Sequence, residues 1–289
     1  MKQRVYSAVF FLFLAGGAQA YTDTGGRYTA GPNGYAGLNF FSEWGDDAYY
    51  LRPSVNTYSS DLIDRYSTYS LGGGLERGNW SAGAELSITP ETGGYNNTAV
   101  YGDLSYKLLG EPDGDASLED MTFGLFAGLT AHEDIYAAST STVLSGPGRR
   151  SSVSTLTDAF KLSQTDYGIA ASVKAYGLRV SGRFTKTAYD KDVTAEARQL
   201  PVDIGSIGTS GFPDTAVSAR LRAPGLPLAP EAGYAKTSYL LDQPDSESLT
   251  FGLSVKAGPA EISAGWEGFS PGGGAARSDY YSLGLAFSF

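Results

Sequence analysis

The chain has no cysteine, so no disulfide framework can compensate for a small core. It has one histidine, His132, which leaves a single imidazole for any base-assisted nucleophilic chemistry. After the first twenty residues, no stretch reaches the roughly 18 uncharged apolar residues that a spanning helix needs. Basic residues are in the minority, with 21 Lys and Arg against 31 Asp and Glu, a formal net charge of −10. That balance argues against nucleic acid as a partner, because phosphate binding needs basic patches. Nor does any segment show a convincing period of 3.6. What the chain has in abundance is glycine (38) and tyrosine (20).

The first twenty residues stand apart. A short basic start, Met1-Lys2-Gln3-Arg4, leads into the apolar VYSAVFFLFLAGG and then Ala18-Gln19-Ala20. This is the charged, apolar, small-x-small order of a secretory signal peptide, with cleavage expected after Ala20. The apolar part is too short to cross a bilayer as a helix. Residues 1–20 are therefore read as a leader handled by the secretory translocon, and 21–289 as one domain.

Along that domain, apolar residues recur at every second position. In ESLTFGLSVKAG, Leu249, Phe251, Leu253 and Val255 alternate with Ser248, Thr250, Gly252 and Ser254; after Gly258-Pro259 the run AEISAGWEG does the same. Similar hairpins turn at Tyr176-Gly177 and Gly78-Asn79. Single strands are read in MTFGLFAGLTAHE and TAVYGDLSYKLLG, and GYAGLNFFSEW is taken as the first. Ten segments of roughly 9–13 residues result, the length that a tilted membrane-spanning strand requires. A soluble β-sandwich would also alternate. Against it stand a charged and small-residue polar face, short turns alternating with long loops, and Trp44, Trp80 and Trp266 near strand ends.

If the last strand ends in the periplasm, the joints at 258–259, 176–177, 110–118 and 78–79 are periplasmic. The connections at 45–65, 91–97, 134–163, 191–247 and 269–276 are then external, mostly longer, as in outer-membrane barrels. A 57-residue loop at 191–247 is suspect in a compact domain. Within it, TAVSARLRA and YAKTSYLLD read as a further pair of strands joined by PGLPLAPEAG. The expectation is an all-β, antiparallel, up-and-down transmembrane barrel of twelve strands, with ten and one large loop as the alternative.

The chain ends on SLGLAFSF. Ser282, Gly284, Phe287 and Phe289 match, position by position, the C-terminal assembly signal of Gram-negative outer-membrane β-barrel proteins, which the ending resembles. The resemblance implies a bacterial outer-membrane location, a lipid-facing last strand, and recognition by the barrel-assembly machinery. It extends to the class and not to a particular family, and the class hosts pores, enzymes, export domains and adhesins alike.

The sites offer little catalytic chemistry. His132 lacks a neighbouring serine at a useful spacing, and its flanking Thr130 and Asp134 match only half of the Asp–His arrangement of omptin-type proteases. The acidic turn EPDGDASLED lacks the register of a calcium loop. Gly72-Gly73-Gly74 has no following helix to make a phosphate loop. No catalytic residue, metal site or cofactor is expected.

What remains is charge on the polar face. Alternation directs Glu43, Glu76, Glu85, Asp103, Lys107, Lys174, Arg179, Arg183, Lys256, Glu261 and Glu267 to the lumen, with Arg220 and Arg222 added by the twelve-strand reading. Acids dominate the early strands and last hairpin, while Lys174, Arg179 and Arg183 cluster between them. Such walls suit a small porin-like channel for hydrophilic solutes or ions. The alternatives are a salt-bridged, non-conducting barrel whose outer loops bind a surface partner and, behind it, an outer-membrane hydrolase.

Overall fold

The computed structural model describes residues 21–61, 64–108, 118–141, 153–197, 211–224 and 226–289. The leader at 1–20, most of the acidic turn, and the middles of the two longest connections lie outside the described residues. Fourteen antiparallel strands form a closed barrel in chain order. They are β1 (Tyr21–Ala30), β2 (Ala36–Gly45), β3 (Tyr49–Ser59), β4 (Tyr66–Arg77), β5 (Trp80–Thr92), β6 (Tyr95–Leu108) and β7 (Leu118–Ser141). The second half is β8 (Val153–Ala175), β9 (Leu178–Tyr189), β10 (Pro213–Arg222), β11 (Leu228–Tyr239), β12 (Ser246–Ala257), β13 (Ala260–Ser270) and β14 (Ser278–Ser288). One helical turn, α1 (Val193–Ala197), follows β9.

Expectation and structure agree on class and differ on count: there are fourteen strands, not twelve or ten. The two unforeseen strands depart from the alternation for identifiable reasons. The outward positions of β1 are Thr22, Thr24, Gly26, Tyr28 and Ala30, so its apolar signal is faint. β3 carries Arg52 and Pro53, and proline removes a ladder donor. The β2–β3 register accordingly skips Ser42 and Glu43, which face Pro53 and Arg52, and resumes at Trp44 opposite Leu51. The stretch 45–65 is therefore not one loop; it contains a turn, a full crossing and a second connection. Likewise β11 starts at Leu228 and runs through Pro230, which pairs with Leu253, so most of PGLPLAPEAG is strand rather than connection.

The barrel closes where β14 meets β1, from Asp23 opposite Ser288 to Ala30 opposite Tyr281. Phe289 completes the seam, since its N–H donates to the Thr22 carbonyl at 2.9 Å and its carbonyl accepts from the Thr22 N–H at 3.0 Å. The predicted tight turns are present, with Gly78, Tyr176, Gly177 and Gly258 at positive φ. Paired positive φ at Tyr176-Gly177 matches the turn twist that continues antiparallel strands. All strands but two are 10–14 residues long; β7 and β8, at 24 and 23, project as a hairpin beyond the rim at the end opposite the termini.

Outside, apolar side chains stand free. Leu38, Leu71, Val100, Leu125, Ile169, Val180, Phe251 and Leu283 are all exposed, Leu283 at 61%. Soluble monomers rarely leave so wide a band of apolar residues bare. The band is a lipid belt, and closure leaves no unpaired strand edge within it. Arginine replacing Leu125 in the middle of this belt is expected to destabilise the barrel by about 2–4 kcal/mol. Urea titration in lipid vesicles would measure it.

Candidate functional site

Because successive side chains alternate across a strand, the belt residues determine which residues face inward. All eleven predicted lumen charges lie on the parity opposite the exposed belt residues of their own strands, such as Leu38 for Glu43, Leu75 for Glu76, Ile169 for Lys174 and Ile262 for Glu267. Glu43 meets Arg52 at 3.8 Å and accepts from the Tyr21 hydroxyl at 2.9 Å, while Arg52 lies over the Phe41 ring at 4.4 Å. Arg179 pairs with Asp120 at 3.1 Å, and Lys174 lies opposite Arg179 in the ladder. Arg220 and Arg222, both inward, reach Glu231 at 3.4 and 4.0 Å, and Arg222 also reaches Glu261 at 3.5 Å. Glu267 accepts from the Ser248 hydroxyl at 2.5 Å. Lys256 stands opposite Glu261, and Lys107 opposite Thr122. Glu76 occupies the terminal end of β4, beside the Gly78 turn. Among the described residues, Glu85 and Asp103 hold no ion pair.

Arg183 is held differently from the other cations. It too has no ion pair among the described residues. Its guanidinium carbon lies 3.6 Å from the centroid of Phe126 and 5.5 Å from that of Tyr101, and those rings stack on each other at 6.0 Å. To reach them from β9 the side chain crosses β8 and approaches β6 and β7. Glycine makes that possible: a Cβ on Gly168 would lie 2.7 Å from the tip of Phe126 and closer still to the Phe184 carbonyl. Phe126, 6% exposed, is thus an inward-facing aromatic in a glycine notch. The result is a shelf of two rings and one guanidinium projecting from the wall.

Small residues line much of the remaining interior and leave cavities along the inner wall. One of 690 Å³ is bordered by Arg183, Arg220, Glu267 and hydroxyls of β6 to β12. Another of 370 Å³ lies against β3 to β6, with Arg52, Glu85 and Asp103, and is bounded by Tyr101. A third, of 480 Å³, contains Arg27, Arg220, Arg222, Glu231, Glu261 and Glu267. The shelf therefore stands between an acidic compartment and a hydroxyl-rich one that carries arginine.

Among the described residues, two groups of side chains line the mouth at the end away from the termini. On one side, Phe160 and Leu162 of the long hairpin bury against Val193 of α1 and Phe212, with Tyr95, Tyr189, Leu240 and Leu241 packed around them. Local hydrogen bonds hold this cluster in place. The Asp192 carboxylate accepts the Thr194 and Ala195 N–H groups, and the Tyr189 hydroxyl donates to the Pro213 carbonyl at 2.9 Å. On the other side runs a chain of rings: Tyr280 against Tyr35 at 5.3 Å, Tyr35 against Tyr58 at 6.5 Å, Tyr58 against Tyr66 at 5.5 Å, and Tyr66 against Tyr95 at 6.3 Å. His132 ends the chain, its Nδ1 hydrogen-bonded to the Tyr95 hydroxyl at 2.8 Å.

Several of these residues escaped sequence reasoning. Asp23 and Arg27 were missed with β1, Arg52 with β3, and Glu231 because β11 begins earlier than its alternation suggests. Phe126 carried a readable signal, the lone aromatic between Gly124 and Gly128 on the inward parity. The tyrosine chain carried none, since its members lie on separate strands or turns. Of the assembly signal, Ser282 and Gly284 face inward, where Gly284 makes room for the Ser263 hydroxyl, while Phe287 stacks on Phe289 at 6.2 Å.

Closure, lipid belt and charged interior together define a membrane-spanning barrel of the bacterial outer-membrane class. No protein-family model matches the sequence, and no curated protein matches it. Among solved structures the chain is similar to the KdgM porin, at 10% identity and TM-score 0.42 over 92% of this chain and 99% of that one. It is also similar to the CymD monoaromatic hydrocarbon channel, at 12% identity and TM-score 0.47 over 93% and 88%. Pseudomonas aeruginosa OccK3 aligns at 13% identity and TM-score 0.35 over 94% and 95%. The class rests on the barrel's own geometry.

Leu162, 2% exposed, is central to the packed side of the mouth. Truncation to alanine is expected to weaken docking of that side by about 2–5 kcal/mol while leaving the barrel intact. Limited proteolysis would then cut faster around 190–197, with unchanged heat-modifiable migration of the folded barrel.

Proposed function

We propose that the protein is an outer-membrane channel through which small hydrophilic solutes and ions diffuse. The observation that carries this reading is the interior: charges, hydroxyls and small residues border cavities of 370–690 Å³, and the apolar cluster of the described residues sits at the mouth. A barrel closed by a packed apolar core would have the reverse arrangement. Fourteen strands also give a wider lumen than the eight that side chains alone can fill.

In this reading the end carrying Tyr21 and Phe289 faces the periplasm, as the resemblance of the last strand to an assembly signal implies, and the long hairpin and α1 face outward. The barrel-assembly machinery is the partner for insertion, outer-membrane lipid the surrounding solvent, and small hydrophilic solutes the cargo. His132 serves the rim through Tyr95 rather than hydrolysis. A second reading, a barrel whose outer loops bind a surface partner, is favoured by the projecting β7–β8 hairpin. The two separate on conductance.

Purified protein in planar bilayers is expected to give stepwise conductance. Glu85→Gln/Asp103→Asn, which removes the two carboxylates without ion pairs, should move the reversal potential toward anion preference. Silent bilayers from correctly folded protein would discard the channel in favour of the interaction barrel.

A further inference from the structure

We infer that the 690 Å³ cavity beside the Arg183 shelf is a binding subsite for small hydroxylated carboxylates, with Arg183 as the residue that contacts the ligand carboxylate. The inference deepens the channel reading, on which it rests for access but not for binding.

Three observations carry it. The first is a cation without a counter-charge. Arg179, Arg220 and Arg222 are each neutralised by a neighbouring carboxylate, Asp120, Glu231 or Glu261, whereas Arg183 holds no ion pair among the described residues.

The second observation is preorganisation. Phe126 and Tyr101 hold the guanidinium by its face, which leaves N–H donors along its edge for a ligand. An arginine fixed in this way loses little side-chain freedom on binding, and its fork matches a carboxylate bidentately. The third is the rest of the lining. Ser105, Ser172, Ser181, Ser218 and Thr250 supply hydroxyls that can both donate and accept, as a polyol chain requires. Glu267 is the one carboxylate on this cavity among the described residues, and the Ser248 hydroxyl already donates to it. The volume lies within the range of small-molecule sites, ample for a solute of this kind. The 370 Å³ compartment beyond Tyr101, with Glu85 and Asp103, would repel the same solute.

Gluconate and glucose make the test, being alike in size and hydroxyl content and differing in the carboxylate. Calorimetric titration into the detergent-purified, folded full-length barrel is expected to show gluconate binding and glucose binding at least about tenfold weaker. Arg183→Gln should remove that preference, Arg183→Lys should restore part of it, and Phe126→Leu should weaken it by freeing the guanidinium. Lys161→Gln, on the outer hairpin, serves as the control and should leave it unchanged. Equal binding of the two solutes by the unaltered protein, or an unchanged preference in folded Arg183→Gln, would overturn the inference. Bilayer conductance measured on the same preparations separates the two readings. Arg183-dependent gluconate binding without conductance would sink the channel and keep the subsite, and conductance without that binding would do the opposite.

Discussion

Within a bilayer every backbone N–H and C=O must find a partner in the protein, because no water is there to supply one. The pairing of β14 with β1 meets that demand, and the rest of the structure depends on it. Once the seam is closed, each strand has two neighbours and one permitted parity. Apolar residues then face lipid, and the charges in the middle of the strands, such as Glu85, Asp103 and Arg183, face inward, since a charge on the lipid side is costly.

The inward set does not fill the space evenly. Glycine and serine keep much of the wall low, so the few large inward side chains acquire disproportionate influence. Arg183 shows how this works. Gly168 admits Phe126, Phe126 and Tyr101 hold the guanidinium, and a charge that could lie along the wall instead stands between two compartments. The other arginines named above stay close to carboxylates on neighbouring strands, and exposed pairs of that kind contribute little stability. Their effect is on the local field rather than on the fold.

Much of this architecture was legible in the chain. Leu249, Phe251 and Leu253 could be read as a lipid face, and the inward parity of the eleven charges followed from alternation alone. The strands that escaped, whole or in part, were those whose outward residues are not apolar enough, as in β1, or that contain a proline, as in β3 and β11. Proline weighs against a strand because it lacks a ladder donor, yet Pro53 and Pro230 are tolerated on outward positions of this barrel. The long connection after β9 was opaque for another reason. Val193, Phe212 and Leu240 look like scattered loop residues until Phe160 and Leu162 are brought beside them.

By itself the sequence determined the alternation, hence the class of fold and the face on which the charges of the legible strands lie, because a period of two is a local property of extended backbone. Only the tertiary structure decided which of those charges meet. Asp120 lies 59 positions from Arg179, and Tyr101 and Arg183 are further apart still, separations that mean nothing until the strand register and barrel closure bring them together. Strand number, the shelf, the tyrosine chain and the packed mouth are all of this kind, set by neighbours across the sheet rather than along the chain.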